Sequence, residues 1–156
     1  MKISNKLNGF TLIEILIVLG ISLIIFSVTW VISSSSVASN ESFSFTQRIL
    51  SDFRSAQFRS MFDSQTSTSQ APFGIHLEAN RYVIFRGTSY IEAAVDNIET
   101  PLPDNLEIRN NTLGSDIIFT LSSGEIGIDG SFALFNKATN TQTIIQINRL
   151  GIIQTN

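Results

Sequence analysis

Residues 10–32 form an apolar run in which Glu14 is the sole ionisable side chain. A helix of about 20 apolar residues spans the ~30 Å hydrocarbon core of a bilayer, so the run predicts a single transmembrane helix. Lys2 and Lys6 precede this run. Because positive charge stays on the cytoplasmic side, we expect a single-pass protein of the cytoplasmic membrane, with its N-terminus inside and its C-terminal domain outside.

The Glu14 carboxylate needs a physical explanation, because a charge within a membrane helix costs about 3 kcal/mol and usually serves a function. From the residue alone, two interpretations are open. The side chain snorkels to the cytoplasmic interface at the end of a plain anchor, or it meets a cationic partner. No other ionisable group lies in the run, so such a partner must come from outside it.

A second periodic pattern follows the apolar run. Four apolar residues recur at three- and four-residue intervals: Phe45, Ile49, Phe53 and Ala56. Three more widen this stripe on its flank: Phe43, Leu50 and Met61. Polar residues follow the same spacing on another face: Arg48, Asp52, Ser55 and Arg59. The pattern predicts an amphipathic helix over about 41–62, whose apolar stripe packs on a sheet.

The connection between the two helical patterns is rich in serine. Residues 33–36 alone would suit a flexible linker. However, the periodicity after them favours one continuous helix from residue 10 to about 62, which would be roughly 80 Å long. We therefore expect residues 33–63 to continue the transmembrane helix.

Residues 64–156 predict a β-rich domain. A polar stretch at 64–72 ends the helix, and two alternating segments at 73–78 and 81–86 predict a β-hairpin. Residues 87–104 contain two prolines and predict a long loop. Further short strands are expected at 105–109, 116–121, 124–128, 131–136, 143–148 and 151–154. One long helix followed by seven or eight short strands predicts an α+β fold, with an antiparallel sheet or small sandwich.

Composition excludes several functional classes. The net charge of −3 gives no broad attraction to nucleic acid, and the absence of cysteine excludes disulfides and thiol chemistry. His76 is the one histidine, so a His-rich metal site cannot form. Asp96, Glu99 and Asp104 lie in the long loop but lack the spacing of a known calcium loop. Phosphate loops, dinucleotide fingerprints and nucleophile elbows are missing, so we expect no enzyme, cofactor, metal or small-molecule substrate.

Residues 6–21, KLNGFTLIEILIVLGI, resemble the N-terminal processing signal of type IV pilins and type II secretion pseudopilins. The resemblance implies a leader of residues 1–9, cut after Gly9 by a prepilin peptidase. Phe10 would become the N-methylated mature N-terminus, and Glu14 would be the fifth mature residue, which assembly requires. The implied partners are the prepilin peptidase/methyltransferase, other pilin or pseudopilin subunits, and an inner-membrane assembly platform.

The chemistry of these residues agrees with that resemblance. Cleavage after Gly9 creates an ammonium group at Phe10, and residues i and i+4 share one face of a helix. The Glu14 carboxylate of one subunit can then meet the Phe10 amine of its neighbour, which offsets two costly charges and sets axial register. Removal of one partner would leave the other buried and unpaired, at a cost of about 3–5 kcal/mol.

The rest of the chain is similar to minor pseudopilins of the general secretion pathway protein H type and to FimT-like minor pilins. The segments that carry this resemblance are Ala56-Gln57, Phe73-Gly74-Ile75, Tyr82-Val83-Ile84-Phe85, Phe119-Thr120, Gly124-Glu125-Ile126, Ile145-Gln146-Ile147 and Gly151-Ile152-Ile153. The resemblance implies a minor subunit of a periplasmic or surface filament.

Three functions compete: a filament subunit for secretion or pilus biogenesis, a DNA-binding minor pilin for DNA uptake, and a membrane-tethered enzyme or receptor. DNA capture needs a basic patch, and the C-terminal region offers only Arg149, with Lys137 nearby. We therefore expect the filament subunit and no nucleic-acid partner.

Overall fold

The structure, a computed structural model, describes residues 10–62 and 70–155, and the side chains of this range other than those of 28–39. The predicted leader, with Gly9, lies outside the described residues, as does most of the predicted turn stretch after the helix. The chain divides into two compact units, Met1–Val37 and Ala38–Asn156. Helix α1 runs from Leu12 to Phe62 and includes the serine-rich residues 33–36.

Eight strands follow α1 in the part of the chain that the structure describes. They are β1 (Phe73–Leu77), β2 (Arg81–Arg86), β3 (Ile98–Pro101), β4 (Leu106–Arg109), β5 (Asp116–Ile118), β6 (Gly130–Asn136), β7 (Thr141–Ile147) and β8 (Ile153–Thr155). They form two four-stranded sheets, in the orders β3-β2-β1-β5 and β4-β6-β7-β8. All the pairings are antiparallel. The predicted α+β class is therefore confirmed, as is the β1–β2 hairpin.

The apolar stripe of α1 forms the centre of the core of the unit Ala38–Asn156. Its four predicted residues are buried: Phe45, Ile49, Phe53 and Ala56. The Phe53 ring stacks on Phe132, with 5.8 Å between ring centroids, and meets Phe119 edge-on at 6.4 Å. Because Phe119 follows β5 of one sheet and Phe132 lies on β6 of the other, one helical side chain joins both sheets.

Three local expectations were wrong. Phe43, predicted to flank the apolar stripe, is exposed. The predicted loop at 87–104 contains β3, which pairs with β2. Residues 124–128 form no strand, because Gly124 and Gly127 both take positive φ angles that interrupt an extended backbone.

Candidate functional site

The first candidate site is the start of α1. The Thr11 hydroxyl oxygen accepts a hydrogen bond of 3.3 Å from the Glu14 backbone N–H, and the Thr11 carbonyl accepts one from Ile15. Thr11 is thus the N-cap of the helix, and Glu14 is the acidic residue of its first turn. The sequence interpretation missed this role of Thr11, although Thr-x-x-Glu before an apolar run is a known capping signal.

Phe10 and Glu14 lie along one side of this helix start. They line one open groove of about 250 Å³ together with residues one and two turns further on: Ile15, Val18 and Leu19. The groove is the side of a single helix, and it places a carboxylate next to an exposed apolar strip. Glu14 forms no ion pair within the described residues. A cation for this carboxylate must therefore come from elsewhere.

The helix around Glu14 exposes apolar side chains on every face. At least half of the surface of each of these residues is accessible: Leu12, Ile13, Ile15, Leu16, Ile17, Val18, Leu19, Ile21, Leu23, Ile24, Ile25 and Phe26. By length and hydropathy, none of the helices in the described part of the chain qualifies as a membrane-spanning helix. An exposed apolar surface of this extent indicates an interaction surface.

The second candidate region lies where α1 meets the turns of the β domain. The Gln57 side-chain amide donates to the Gly124 carbonyl at 3.0 Å and to the Leu150 carbonyl at 3.2 Å. Gly151 lies against the same amide, because a Cβ there would come within 2.4 Å of its nitrogen. The structure thus brings together segments that are far apart in sequence, around one glutamine of the helix.

A polar contact also links α1 to β2. The Tyr82 hydroxyl donates to the Asp52 carboxylate, and Arg48 lies 3.9 Å from the same oxygen. Burial raises the pKa of the Tyr82 phenol, and the adjacent Asp52 carboxylate raises it further. Asp52 is therefore a structural residue of the helix–sheet contact, and not simply part of a solvated face.

His76 has three partners among the described residues. Its Nδ1 lies 2.6 Å from an Asp116 carboxylate oxygen, its Nε2 lies 3.5 Å from Glu78, and its ring stacks on Tyr90 at 4.0 Å. Asp116 is 40 residues away in sequence, so no local sequence pattern predicts this contact. Chemically, the cluster ties β1, β5 and the start of the β2–β3 loop together.

Of the three acidic residues considered for calcium binding, Glu99 forms an ion pair within the described residues. Arg81 bonds Glu99 at 2.9 Å and Glu78 at 2.7 Å, and its guanidinium lowers the pKa of the Glu78 carboxyl. Within residues 10–62 and 70–155, no group of three or more histidine or acidic side chains is placed to hold a metal ion.

The cations considered for DNA contact are paired with carboxylates. Arg149 lies 3.4 Å from Asp129, and Lys137 lies 3.7 Å from Glu107. Phosphate binding would have to compete with these contacts, which reduces the electrostatic gain.

Comparison with known proteins bears on the N-terminal segment. Residues 4–30 match the family model of the prokaryotic N-terminal methylation motif, and this range contains Gly9, Phe10 and Glu14. No curated protein and no solved structure is significantly similar to the chain. The N-terminal segment of the chain therefore carries a prokaryotic methylation motif of the prepilin type.

Proposed function

We propose that the chain is a minor pilin or minor pseudopilin of a type IV-like filament. A prepilin peptidase cuts it after Gly9, Phe10 becomes the methylated N-terminus, and residues 10–32 anchor it in the cytoplasmic membrane before assembly. The observation that carries the proposal is the groove that Phe10 and Glu14 line together at a capped helix start, within an exposed apolar surface.

The geometry supports an electrostatic role for Glu14 between subunits. Within the described residues the carboxylate has no ion-pair partner, and the helix N-terminus itself favours a negative charge at this position. Processing creates one ammonium group, at Phe10, which precedes the helix and lines the same groove as Glu14. In a row of identical helices, the amine of each subunit can pair with the carboxylate of the next one.

Two features support a minor subunit of the general secretion pathway protein H or FimT-like type. Three of the segments that carry this resemblance meet at Gln57, whose amide bonds the Gly124 carbonyl and lies against Gly151. The domain is also small and contains no cysteine, so it has no disulfide-bounded loop of the kind typical of major pilins. Its partners would be the processing peptidase/methyltransferase, other subunits and the membrane assembly platform.

The test separates processing from assembly. In cells that produce the peptidase, mass spectrometry of the wild-type chain should find N-methylated Phe10 as the first residue. Gly9→Ile should leave the leader in place, since the peptidase has to accommodate a bulky side chain beside the cut bond. Detection of Phe10 as the N-terminus of Gly9→Ile would contradict the processing step.

Glu14→Val tests the assembly step, because it removes the carboxylate and keeps an apolar side chain. The variant should be processed normally but lost from sheared or purified filaments by at least about tenfold, as expected when a buried charge pair is broken. Glu125→Gln, at an exposed position of the β domain, is the control and should be incorporated normally. Normal incorporation of Glu14→Val would exclude the amine–carboxylate pair as an assembly requirement.

A further inference from the structure

The loop between β2 and β3, together with the first residue of β3, presents three apolar side chains to solvent. Ile91, Val95 and Ile98 are exposed, and Val95 is 99% accessible. Three carboxylates alternate with them in sequence: Glu92, Asp96 and Glu99. We refer to residues 90–99 as the acidic loop. Its surface thus combines exposed apolar side chains with carboxylates.

The acidic loop is held in one conformation by its own hydrogen bonds. The Asn97 side-chain amide donates to the Ile91 carbonyl at 2.9 Å and to the Glu92 carbonyl at 3.2 Å. At its start, the Tyr90 N–H donates to Asp116 at 3.1 Å, while the Tyr90 ring stacks on His76. A loop ordered in this way loses little conformational entropy on binding, so its exposed apolar side chains are suited to recognition.

The charge of the loop is only partly neutralised within the chain. Arg81 contacts Glu99 at 2.9 Å and Glu92 at 3.5 Å. Asp96 has no hydrogen bond or ion pair with any described residue, and Glu92 is largely exposed. A partner surface should therefore combine apolar side chains with at least one unpaired cation.

Helix α1 carries a surface of that chemistry. Arg54, Phe58 and Phe62 recur every four residues on the face that points away from the core, and we refer to them as the aromatic strip. The two rings are 4.4 Å apart and remain 59% and 48% exposed. Within the described residues, Arg54 is exposed and forms no ion pair. Nothing in the described part of the chain covers this strip.

We propose that the acidic loop of one copy docks on the aromatic strip of a second copy of this chain. Ile91 and Val95 would cover Phe58 and Phe62, while Glu92 and Asp96 would meet Arg54. The two surfaces differ, so the contact is heterologous and joins copies head to tail without closing a symmetric dimer. Both surfaces belong to the unit Ala38–Asn156, so the inference goes beyond the proposed pairing of Phe10 with Glu14.

The contact is small, which determines where it operates. The seven side chains bury much less than the roughly 1,200 Å² of a stable interface, so free copies should not form a tight dimer. Copies that are already aligned in a membrane or filament have a high effective concentration, and a weak contact then becomes populated. The contact would thus add lateral order to copies that are held together by other means.

Disulfide trapping in the full chain tests the contact. Because the natural sequence has no cysteine, every disulfide that forms must involve an introduced cysteine. Two differently tagged single variants, Phe58→Cys and Val95→Cys, are produced together in membranes and oxidised. A disulfide-linked product that carries both tags is expected. Phe58→Cys with Gln142→Cys, an exposed position on β7, is the matched control and should give at least about fivefold less product.

Charge reversal then tests the assigned chemistry. Arg54→Glu in the Phe58→Cys chain should lower the mixed product severalfold, and Glu92→Arg together with Asp96→Arg in the Val95→Cys chain should restore it. The proposal is overturned if the mixed product is no more abundant than the control, or if charge reversal leaves it unchanged. A further experiment labels the Phe58→Cys variant with a water-soluble maleimide, in vesicles that hold the chain at high dilution. Protection of the thiol under these conditions would show that lipid covers the aromatic strip, and it would also overturn the proposal.

The outcome can be distinguished from failure of the proposed function. The N-terminal residue is determined by mass spectrometry on the same membranes. Normal processing without the mixed disulfide would reject only the docking contact, whereas an uncut leader with the mixed disulfide would reject only the prepilin processing.

Discussion

At the start of α1, one hydroxyl group determines how the helix begins. The Thr11 side chain satisfies the Glu14 backbone N–H, which would otherwise lack a partner in the first turn. Thr11→Ala should therefore destabilise this turn by about 1 kcal/mol. In the full chain in detergent, hydrogen exchange at the Glu14 amide should become about fivefold faster. Thr11→Ser keeps the acceptor and should exchange as the wild type does; an equal increase for both variants would show that the methyl group, and not the cap, is responsible.

Gly151 is a second position at which a single added atom, a Cβ, should change the stability of the fold. Its φ angle is +78°, and an added Cβ would lie 2.4 Å from the Gln57 amide nitrogen and 2.5 Å from the Gly124 carbonyl oxygen. Gly151→Ala should lower the free energy of unfolding by about 3 kcal/mol, through backbone strain and overpacking together. The loss is measured by urea unfolding of the full chain in detergent.

Gly114 offers a matched control for Gly151. Its φ angle of +85° is similar, but an added Cβ meets nothing within 4 Å. Gly114→Ala should cost only the conformational term, about 1 kcal/mol. Equal losses of unfolding free energy in the two variants would mean that the close contact between the added Cβ and Gln57 has no energetic cost.

Among single residues, those with a local signal could be predicted from the sequence. Glu14 stands out because it is the one charge in an apolar run, and the structure places it in the first turn of α1. The partners of His76 could not be predicted, since Asp116 reaches it only after β1 and β5 have paired. Long-range polar contacts depend on strand register, which short strands do not encode locally.

At the scale of elements, the contact between α1 and β2 makes stability depend on pH. Tyr82 has a raised pKa in the folded chain because it is buried and bonded to Asp52. Its contribution to stability is complete below the unfolded pKa of about 10 and is lost as the pH rises above that value. Above about pH 10, the free energy of unfolding should include a fall of up to about 1.4 kcal/mol per pH unit from this group.

Tyr82→Phe should remove that part of the alkaline dependence, at the cost of the hydrogen bond to Asp52. The measurement is the free energy of unfolding in urea at a series of pH values from 8 to about 11. Tyr90→Phe removes the other tyrosine hydroxyl of the chain and should keep the wild-type slope. A slope that is unchanged in Tyr82→Phe would contradict the assignment.

The helix of this contact was more predictable than the sheets. The stripe of Phe45, Ile49 and Phe53 is a local periodic signal, and all three residues are buried. The expected strand at 124–128 was wrong because its alternation is interrupted by glycines with positive φ. The strand β3 was missed because it is short and contains a proline, which is tolerated there since β3 is an edge strand.

At the scale of the whole molecule, the two units differ in what covers their apolar side chains. The unit Ala38–Asn156 buries its apolar residues in its own core, around α1 and both sheets. The described side chains of the unit Met1–Val37 remain largely exposed. The two apolar runs of the sequence differ in the same respect, because the first shows no amphipathic periodicity whereas the second one does.

A fragment of residues 38–156 should therefore fold without detergent. It keeps the buried helical stripe, and it lacks the exposed apolar surface that begins at Leu12. We expect a monomer at micromolar concentration, since docking of the acidic loop is too weak to hold free copies together, and a single cooperative thermal transition by circular dichroism. The full chain is the control and should need detergent to stay dispersed. Aggregation of the fragment, or the lack of a cooperative transition, would show that the β domain depends on the N-terminal part of the helix for its stability.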